Sequence, residues 1–417
     1  MSVTLADIQA ARQRIGSVIY RSPCPYSLSL SQLCHSEIFC KLDHLQMTGS
    51  FKERGARNKL MLLTPAQRAA GVVAASAGNH ALGLSYHGRE LGIPVTVVMP
   101  RWAPLVKVSN CRTFGAEVIL HGEDFDSARS HALQLSQATA RAFIPAFDDP
   151  QIIAGQGTMA LEILEDVPNV ANLIVPVGGG GLLAGVCTVL KALRPEVRIF
   201  GVEAANAPSL HTSLAAGKVT RVTTRPTLAD GLAVAEMGQY CFDLIRGKVD
   251  EVVLVEEPEI ATAILQLLEL EKTVVEGAGA VALAAATRLA VAGRLQPGPT
   301  VLILCGGNID VTILSRIIER GLAQTGRMLR LDFKVADRPG SLARLLEVLA
   351  AAGANVKEIF HERLFGPRDV ALTEISITME TRDLAHVQAV LAALTQQGIE
   401  FNRDLANLTS GSPKGSA

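Results

Sequence analysis

A doubly wound α/β domain followed by a smaller ferredoxin-like domain is the architecture this sequence predicts. Two observations carry the first part. Apolar, strand-like runs alternate with helical patterns from about residue 37 to 325, and glycine-rich loops follow several of those runs. A third observation carries the second part, because the pattern changes after Gly326 to the order β-α-β-β-α-β.

Taken in order, the strand-like runs are 72–75, 95–99, 117–120, 173–177, 198–202, 252–255 and 301–304. Continuous apolar strands between helices suit parallel sheets covered on both faces. Ligands of such folds bind outside the carboxyl ends of the strands, where the glycine-rich loops of this chain fall. Beyond Gly326, residues 329–335 alternate like a half-buried strand. Asp337-Arg338-Pro339-Gly340-Ser341 then starts a helix with Leu342, Leu345, Leu346 and Leu349 on one face. Residues 356–360 and 371–379 read as strands. A second helix begins at Asp383, buries Leu384, Val387, Leu391 and Leu394, and stops at Gly398. Ile399-Glu400-Phe401 reads as the last short strand, and residues 404–417 as a disordered tail without apolar pattern.

Composition narrows the function classes. With 48% hydrophobic and 19% charged residues, 417 residues suffice for two or three buried cores. A net charge of −1 gives no basic excess of the kind that nucleic-acid or membrane-surface binding requires. The apolar runs are broken well before membrane-spanning length, and Met1 to Asp7 has neither the basic nor the apolar region of a signal peptide. Seven cysteines without a C-x-x-C pair read as free thiols in a reducing cytoplasm, with no zinc site.

Four motifs carry chemistry. Lys52 lies in Thr48-Gly49-Ser50-Phe51-Lys52-Glu53-Arg54, away from any basic cluster. Ser76-Ala77-Gly78-Asn79-His80 and Gly178-Gly179-Gly180-Gly181 each lie between a strand and a helix, and Cys305-Gly306-Gly307-Asn308 follows the last core strand. Each has a plainer reading alone: a solvated cation, a Ser76 helix cap, a flexible turn, a small buried thiol. Together they supply an amine nucleophile, an anion loop, a phosphate cradle and a small polar partner. That is the inventory of a pyridoxal-phosphate (PLP) site. A thiol at the pyridine nitrogen does not keep the ring protonated as a carboxylate would, so Cys305 leans the chemistry towards elimination and away from transamination.

With those motifs in order, the chain resembles the threonine dehydratases (threonine ammonia-lyases). These are fold-type II, tryptophan synthase β-like PLP enzymes, here with a carboxy-terminal ACT domain. Ala154-Gly155-Gln156-Gly157-Thr158, Phe147-Asp148-Asp149-Pro150 and Ala229-Asp230-Gly231 add to the resemblance, which covers residues 5 to 403. It implies a catalytic domain over 1–325, with a smaller subdomain at about 45–150, and an ACT domain over 329–403. Lys52 is the implied catalytic residue. Phe51, Asn79, Gly178 to Gly181 and Cys305 are implied around the cofactor, and Ser76, Ala77, Gly78, Asn79 and His80 around the substrate. The implied reaction is α,β-elimination of L-threonine to 2-oxobutanoate and ammonia, and of L-serine to pyruvate. Serine or 3-hydroxyaspartate dehydration is the alternative within the fold, and an amino-acid sensor without turnover the alternative outside it.

Two positions separate the chain from the similar serine racemases. Ala77 stands where those enzymes carry a serine that acts on the second face. Glu203 and Ala207 match their divalent-cation site, but Ser209 replaces its Asp, so no tight metal site is expected. In the ACT part, Asp337, Gly340 and Asn355 are the implied contacts of an amino-acid effector. A homo-oligomer, dimer or tetramer, is the implied assembly.

Overall fold

The structure is a computed structural model that describes residues 2–362 and 371–402. The predicted tail at 404–417, and residue 403 at the end of the predicted ACT domain, lie outside the described residues. The chain divides into two compact units, Met1–Ile309 and Asp310–Ala417. The helix Val311–Gln324, which the sequence reading placed in the first domain, groups with the second unit.

Strands of the first unit are β1 (Tyr26–Ser27), β2 (Ile38–Lys41), β3 (Val72–Ala75), β4 (Val95–Met99), β5 (Glu117–Leu120), β6 (Ala142–Phe143), β7 (Asn172–Pro176), β8 (Arg198–Ala204), β9 (Glu251–Val255) and β10 (Thr300–Ile303). They form a six-stranded sheet, β1-β2-β10-β7-β8-β9, and a four-stranded sheet, β5-β4-β3-β6. All pairings are parallel except the β1–β2 edge. Alternation along β3 shows why the runs are apolar throughout. Val72 and Ala74 face one core with Leu60, Leu84 and Val97, while Val73 and Ala75 face another with Val98, Ala128 and Ala132. Helices cover both faces, so neither set of side chains can be polar.

β1, β2 and β6 were not singled out from the sequence. β1 and β6 have two residues each, and β2 ends in Lys41, a charge that is buried and paired with Glu162 at 2.7 Å. All seven cysteines are free thiols. Among the described residues, no helix is long and apolar enough to cross a membrane.

The second unit contains β11 (Met328–Ala336), the helix Ser341–Ala351, β12 (Asn355–Glu362), β13 (Leu372–Glu380), the helix Leu384–Gln396 and β14 (Phe401–Asn402). The sheet order is β12-β13-β11-β14, antiparallel throughout. Leu329, Leu331 and Phe333 lie opposite Met379, Ile377 and Ile375, and Leu345, Leu349, Val387, Val390 and Leu394 close the core above them. One expected core residue is not there: Leu384 is 51% exposed. It occupies the first helical position after the Asp383 cap, before the inward stripe begins, and Val390 is fully buried instead.

Candidate active site

The lysine turn is fixed before its helix begins. Gly49 has φ +75°, and a Cβ there would lie 2.5 Å from the Asn308 side chain. Ser50 bridges Gly306, and the Phe51 N–H donates to the Cys305 carbonyl at 3.0 Å. The turn is thereby stitched to the loop leaving the carboxyl end of β10, and the helix Lys52–Met61 grows from it. Buried partners hold the next two residues. Glu53 accepts from the Thr48 N–H at 3.0 Å and meets His87 Nε2 at 3.0 Å. Arg54, fully buried, donates to both Asp43 and Glu162. Breaking such a buried pair typically costs about 3–5 kcal/mol, so the helix holds Lys52 in place.

Residues Ala154 to Thr158 act by proximity. A Cβ on Gly155 would lie 2.6 Å from the Gly55 Cα, and one on Gly185 would lie 2.7 Å from the Gly157 Cα. Three helices therefore meet backbone to backbone: Lys52–Met61, Pro150–Asp166 and Gly181–Leu193. The first carries the lysine and the third follows the glycine run.

Lys52 Nζ donates to the Ala146 carbonyl at 3.1 Å and lies 5.1 Å from the Phe51 ring centroid. It has no carboxylate ion-pair partner among the described residues. Burial lowers its pKa to about 8, against the smaller upward pull of Cys305, Cys241 and Glu276.

Two helix amino termini open on the same cavity as this amine. The first belongs to Gly181–Leu193, which follows β7 through the glycine run and has no side-chain cap. Glycine is required there: Gly180 has φ +96°, and a Cβ on Gly179 would sit 2.2 Å from the Phe147 ring. The second belongs to Asn79–Leu91, which follows β3. Its cap is Gly78, again without a side-chain bond, so Ser76 is not the helix cap. The Ser76 hydroxyl accepts instead from the Gly78 N–H at 3.2 Å. Unpaired N–H groups and the helix field make each terminus an anion site.

Around the amine, Asn79 Nδ2 donates to Glu276 at 2.7 Å, and Asn79 Oδ1 accepts from Asn308 Nδ2 at 2.8 Å. Cys305 is buried, and its thiol donates to the Ala278 carbonyl at 3.4 Å. Burial pushes that thiol well above its usual pKa, which keeps it neutral. His80 is turned onto the Ile144 carbonyl, with Nε2 at 3.1 Å. Burial, and then the Lys52 charge, lower its pKa to about 3, so it is a neutral packing residue.

The remaining predicted residues lie apart from this cluster or have other partners. Glu203 accepts from the Leu210 and His211 N–H groups and the Ser209 hydroxyl, so its carboxylate caps the helix Ser209–Ala216. Ala207 sits in the turn before that helix. No metal-type cluster of His, Cys, Asp or Glu occurs among the described residues. In the second unit, Asn355 pairs across the sheet with Glu380, itself opposite Met328, whereas Asp337 and Gly340 follow Ala336 at the far end of β11. A nine-residue strand spans on the order of 25–30 Å, so one chain does not bring them together.

The cavity measures about 840 Å³ and is lined by Lys52, Ser76 to His80, Gly178 to Gly181, Asp230, Glu276 and Cys305. PLP fits these residues on the structure's own terms. It needs one buried amine without a counter-ion, a glycine cradle with free N–H groups for a dianionic phosphate, and a polar edge facing the ring.

Family comparisons agree with that geometry. Residues 15–306 match the family of pyridoxal-phosphate dependent enzymes, and residues 329–398 match the ACT domain. The chain belongs to that PLP-dependent family, and PLP is its cofactor. It is 46% identical to an L-threonine ammonia-lyase of Thermotoga maritima, over 95% of this chain and 98% of that one. It is equally similar, 46% over the same shares, to an L-threonine ammonia-lyase of Geobacter sulfurreducens. Among solved structures, threonine deaminase isoform 2 from Solanum lycopersicum matches with a TM-score of 0.73 and 36% identity, over 76% of this chain and 86% of that one. Maize serine racemase matches with a TM-score of 0.73 and 32% identity, over 78% and 99%.

Sequence reading missed Glu276, Phe147 as the filler of the glycine cradle, and the Glu53 and Arg54 anchors. The available signal was charge in apolar surroundings. Glu276 directly precedes an Ala- and Gly-rich helix, Gly277–Val291, that is almost wholly buried.

Proposed function

We propose that the chain is a threonine ammonia-lyase, converting L-threonine to 2-oxobutanoate and ammonia and L-serine to pyruvate. The observation that carries this is Lys52 Nζ, half-buried and without a carboxylate partner among the described residues, in a cavity onto which two uncapped helix termini open. When bound, PLP supplies an aldehyde for the lysine and an electron sink that acidifies the substrate α-carbon. The chain's residues do the rest. Gly178 to Gly181 hold the phosphate, and the Ser76 to Asn79 loop holds the substrate carboxylate. Lys52, with its pKa lowered towards neutrality, would take the α proton and, on regaining the cofactor, release an enamine that water hydrolyses to the oxo acid and ammonia. Cys305 would face the ring with a neutral thiol in place of a carboxylate, which would favour loss of the β-hydroxyl. Ala77 has no acid to deliver a proton to the opposite face, and this supports elimination over racemisation.

An amino-acid effector at the ACT unit belongs to the same reading. Asp337 and Gly340 from one copy with Asn355 from another would form its site, which calls for a homo-oligomer, dimer or tetramer, in the cytoplasm. The test is steady-state oxo-acid formation from threonine, with and without other amino acids, on wild type and Lys52→Ala. Lys52→Ala is expected to lose turnover and the visible absorbance of lysine-bound cofactor. Retention of both would overturn the assignment of Lys52.

A further inference from the structure

We propose that Glu276 is a positioning residue for the cofactor, whose carboxyl group fixes which edge of the Asn79 amide faces the cavity. The inference rests on the PLP-site reading above and goes beyond it to a residue with no assigned part. An asparagine amide has two N–H donors and one carbonyl acceptor. Here the carbonyl is taken by Asn308 Nδ2 at 2.8 Å, and Asn308 is itself held by the Thr48 carbonyl at 2.8 Å. One N–H goes to Glu276 Oε1 at 2.7 Å. The second N–H has no protein partner among the described residues, and Asn79 lines the cavity. Asn308 holds the carbonyl edge from one side, and Glu276 is the acceptor that holds the N–H edge from the other.

The carboxyl group is built in. Its residue lies at the start of the helix Gly277–Val291, and its backbone N–H donates to the Gly306 carbonyl at 3.0 Å. A Cβ on Gly306 would lie 2.2 Å from Glu276 Oε1, so the glycine of the Cys305-Gly306 pair makes room for this carboxyl. Asp230, Lys107, Lys52 and Cys305 are the charged or titratable groups around it, with Asn79 and the Asn308 backbone as hydrogen-bond partners. Asp230 is paired with Lys107 at 2.8 Å, and its charge still reaches Glu276. Burial first, and the Asp230 charge second, raise Glu276 to a pKa of about 7, with Asn79 opposing. It is thus a titratable group beside the polar Asn79 edge of the cavity.

Visible absorbance of the holoenzyme, followed against pH, tests this alongside PLP affinity of the apo-chain. The wild type is expected to show a spectral step near pH 7. Glu276→Gln, which keeps an acceptor but cannot ionise, should retain the band and lose the step. Glu276→Ala should weaken PLP binding roughly tenfold or more, the scale of losing one hydrogen bond to a charged group. If Glu276→Ala does not fold, Glu276→Asp, with its carboxyl drawn back by one methylene, should still shift the step. A wild type without the step, a step that survives in Glu276→Gln, or wild-type PLP affinity in Glu276→Ala would overturn the inference. A wild type with no lysine-dependent band at all would overturn the underlying PLP-site reading instead.

Discussion

The two helix termini that open on the Lys52 cavity are alike in lacking a side-chain cap and opposite in packing. In the 178–181 loop, glycines are enforced by the protein itself, since a Cβ on Gly179 collides with Phe147 and one on Gly178 would approach the Leu232 Cα at 3.1 Å. In the 76–80 loop, a Cβ on Gly78 would meet nothing within 4 Å. The 178–181 loop, the proposed phosphate cradle, is therefore closely packed, while the proposed substrate loop at 76–80 leaves open space. That difference suits a cofactor that stays and a substrate that comes and goes.

Gly179→Ala should have the largest effect. Gly181 packs on the base of the same residue, a notional Cβ there lying 3.1 Å from the Phe147 Cβ and 3.2 Å from its backbone. Phe147 follows Ala146, whose carbonyl takes the Lys52 amine, so displacement of the ring reaches the lysine. We expect about 1–3 kcal/mol of lost stability from overpacking, a cofactor affinity reduced at least tenfold, and little turnover. Thermal melting and a PLP titration measure both. A variant with wild-type affinity would break the comparison.

His80 gives the substrate-side loop an acid sensitivity that the all-glycine loop lacks. Its folded pKa of about 3 lies below the ordinary 6.5, so between those values the unfolded chain binds a proton that the folded chain does not. Stability from this residue is complete above pH 6.5 and falls as pH drops towards 3. At pH 5 the loss amounts to about 2 kcal/mol. His80→Gln keeps a donor for the Ile144 carbonyl and cannot titrate. Its denaturant midpoint should therefore fall less between pH 7 and pH 5 than that of wild type, and equal slopes would remove His80 from the argument.

Gly78→Ala should separate binding from folding. Space at the Cβ is open, but φ −134° with ψ −149° lies just outside the extended region, so stability should fall by about 1 kcal/mol. A methyl group in the path of the substrate carboxylate should lower kcat/KM by about tenfold through KM, with cofactor absorbance unchanged. Lost cofactor binding would instead place this loop on the cofactor.

The sequence showed both loops, because glycine runs between strand and helix are readable without coordinates. It showed the parallel strands for the same reason: β3 and β10 are apolar on both faces. What it concealed was the partner of each loop. Phe147 and Glu276 lie 32 and 197 residues from the Gly179 and Asn79 they meet, and no local pattern says which loop each one reaches. The Ala154 to Thr158 run stood out as a motif, yet its physical content is backbone contact of Gly155 with Gly55 and of Gly157 with Gly185, a relation between helices that spacing cannot express.

The smallest effect should come from the ion pair that ties the two sides of the cavity mouth. Lys107, on the helix Leu105–Thr113, meets Asp230 at 2.8 Å, beside the Gly231 and Leu232 backbone that packs on Gly178. Asp230 is 60% exposed, so the pair is screened by solvent and salt and is worth no more than about 1 kcal/mol. Lys107→Ala should therefore raise KM for threonine only a few-fold and make it less dependent on ionic strength. Cofactor affinity should stay unchanged, because the packed loop does not rely on this contact. If cofactor affinity fell together with KM, the phosphate loop would owe its rigidity to the closed mouth of the cavity, and Phe147 alone would not account for it.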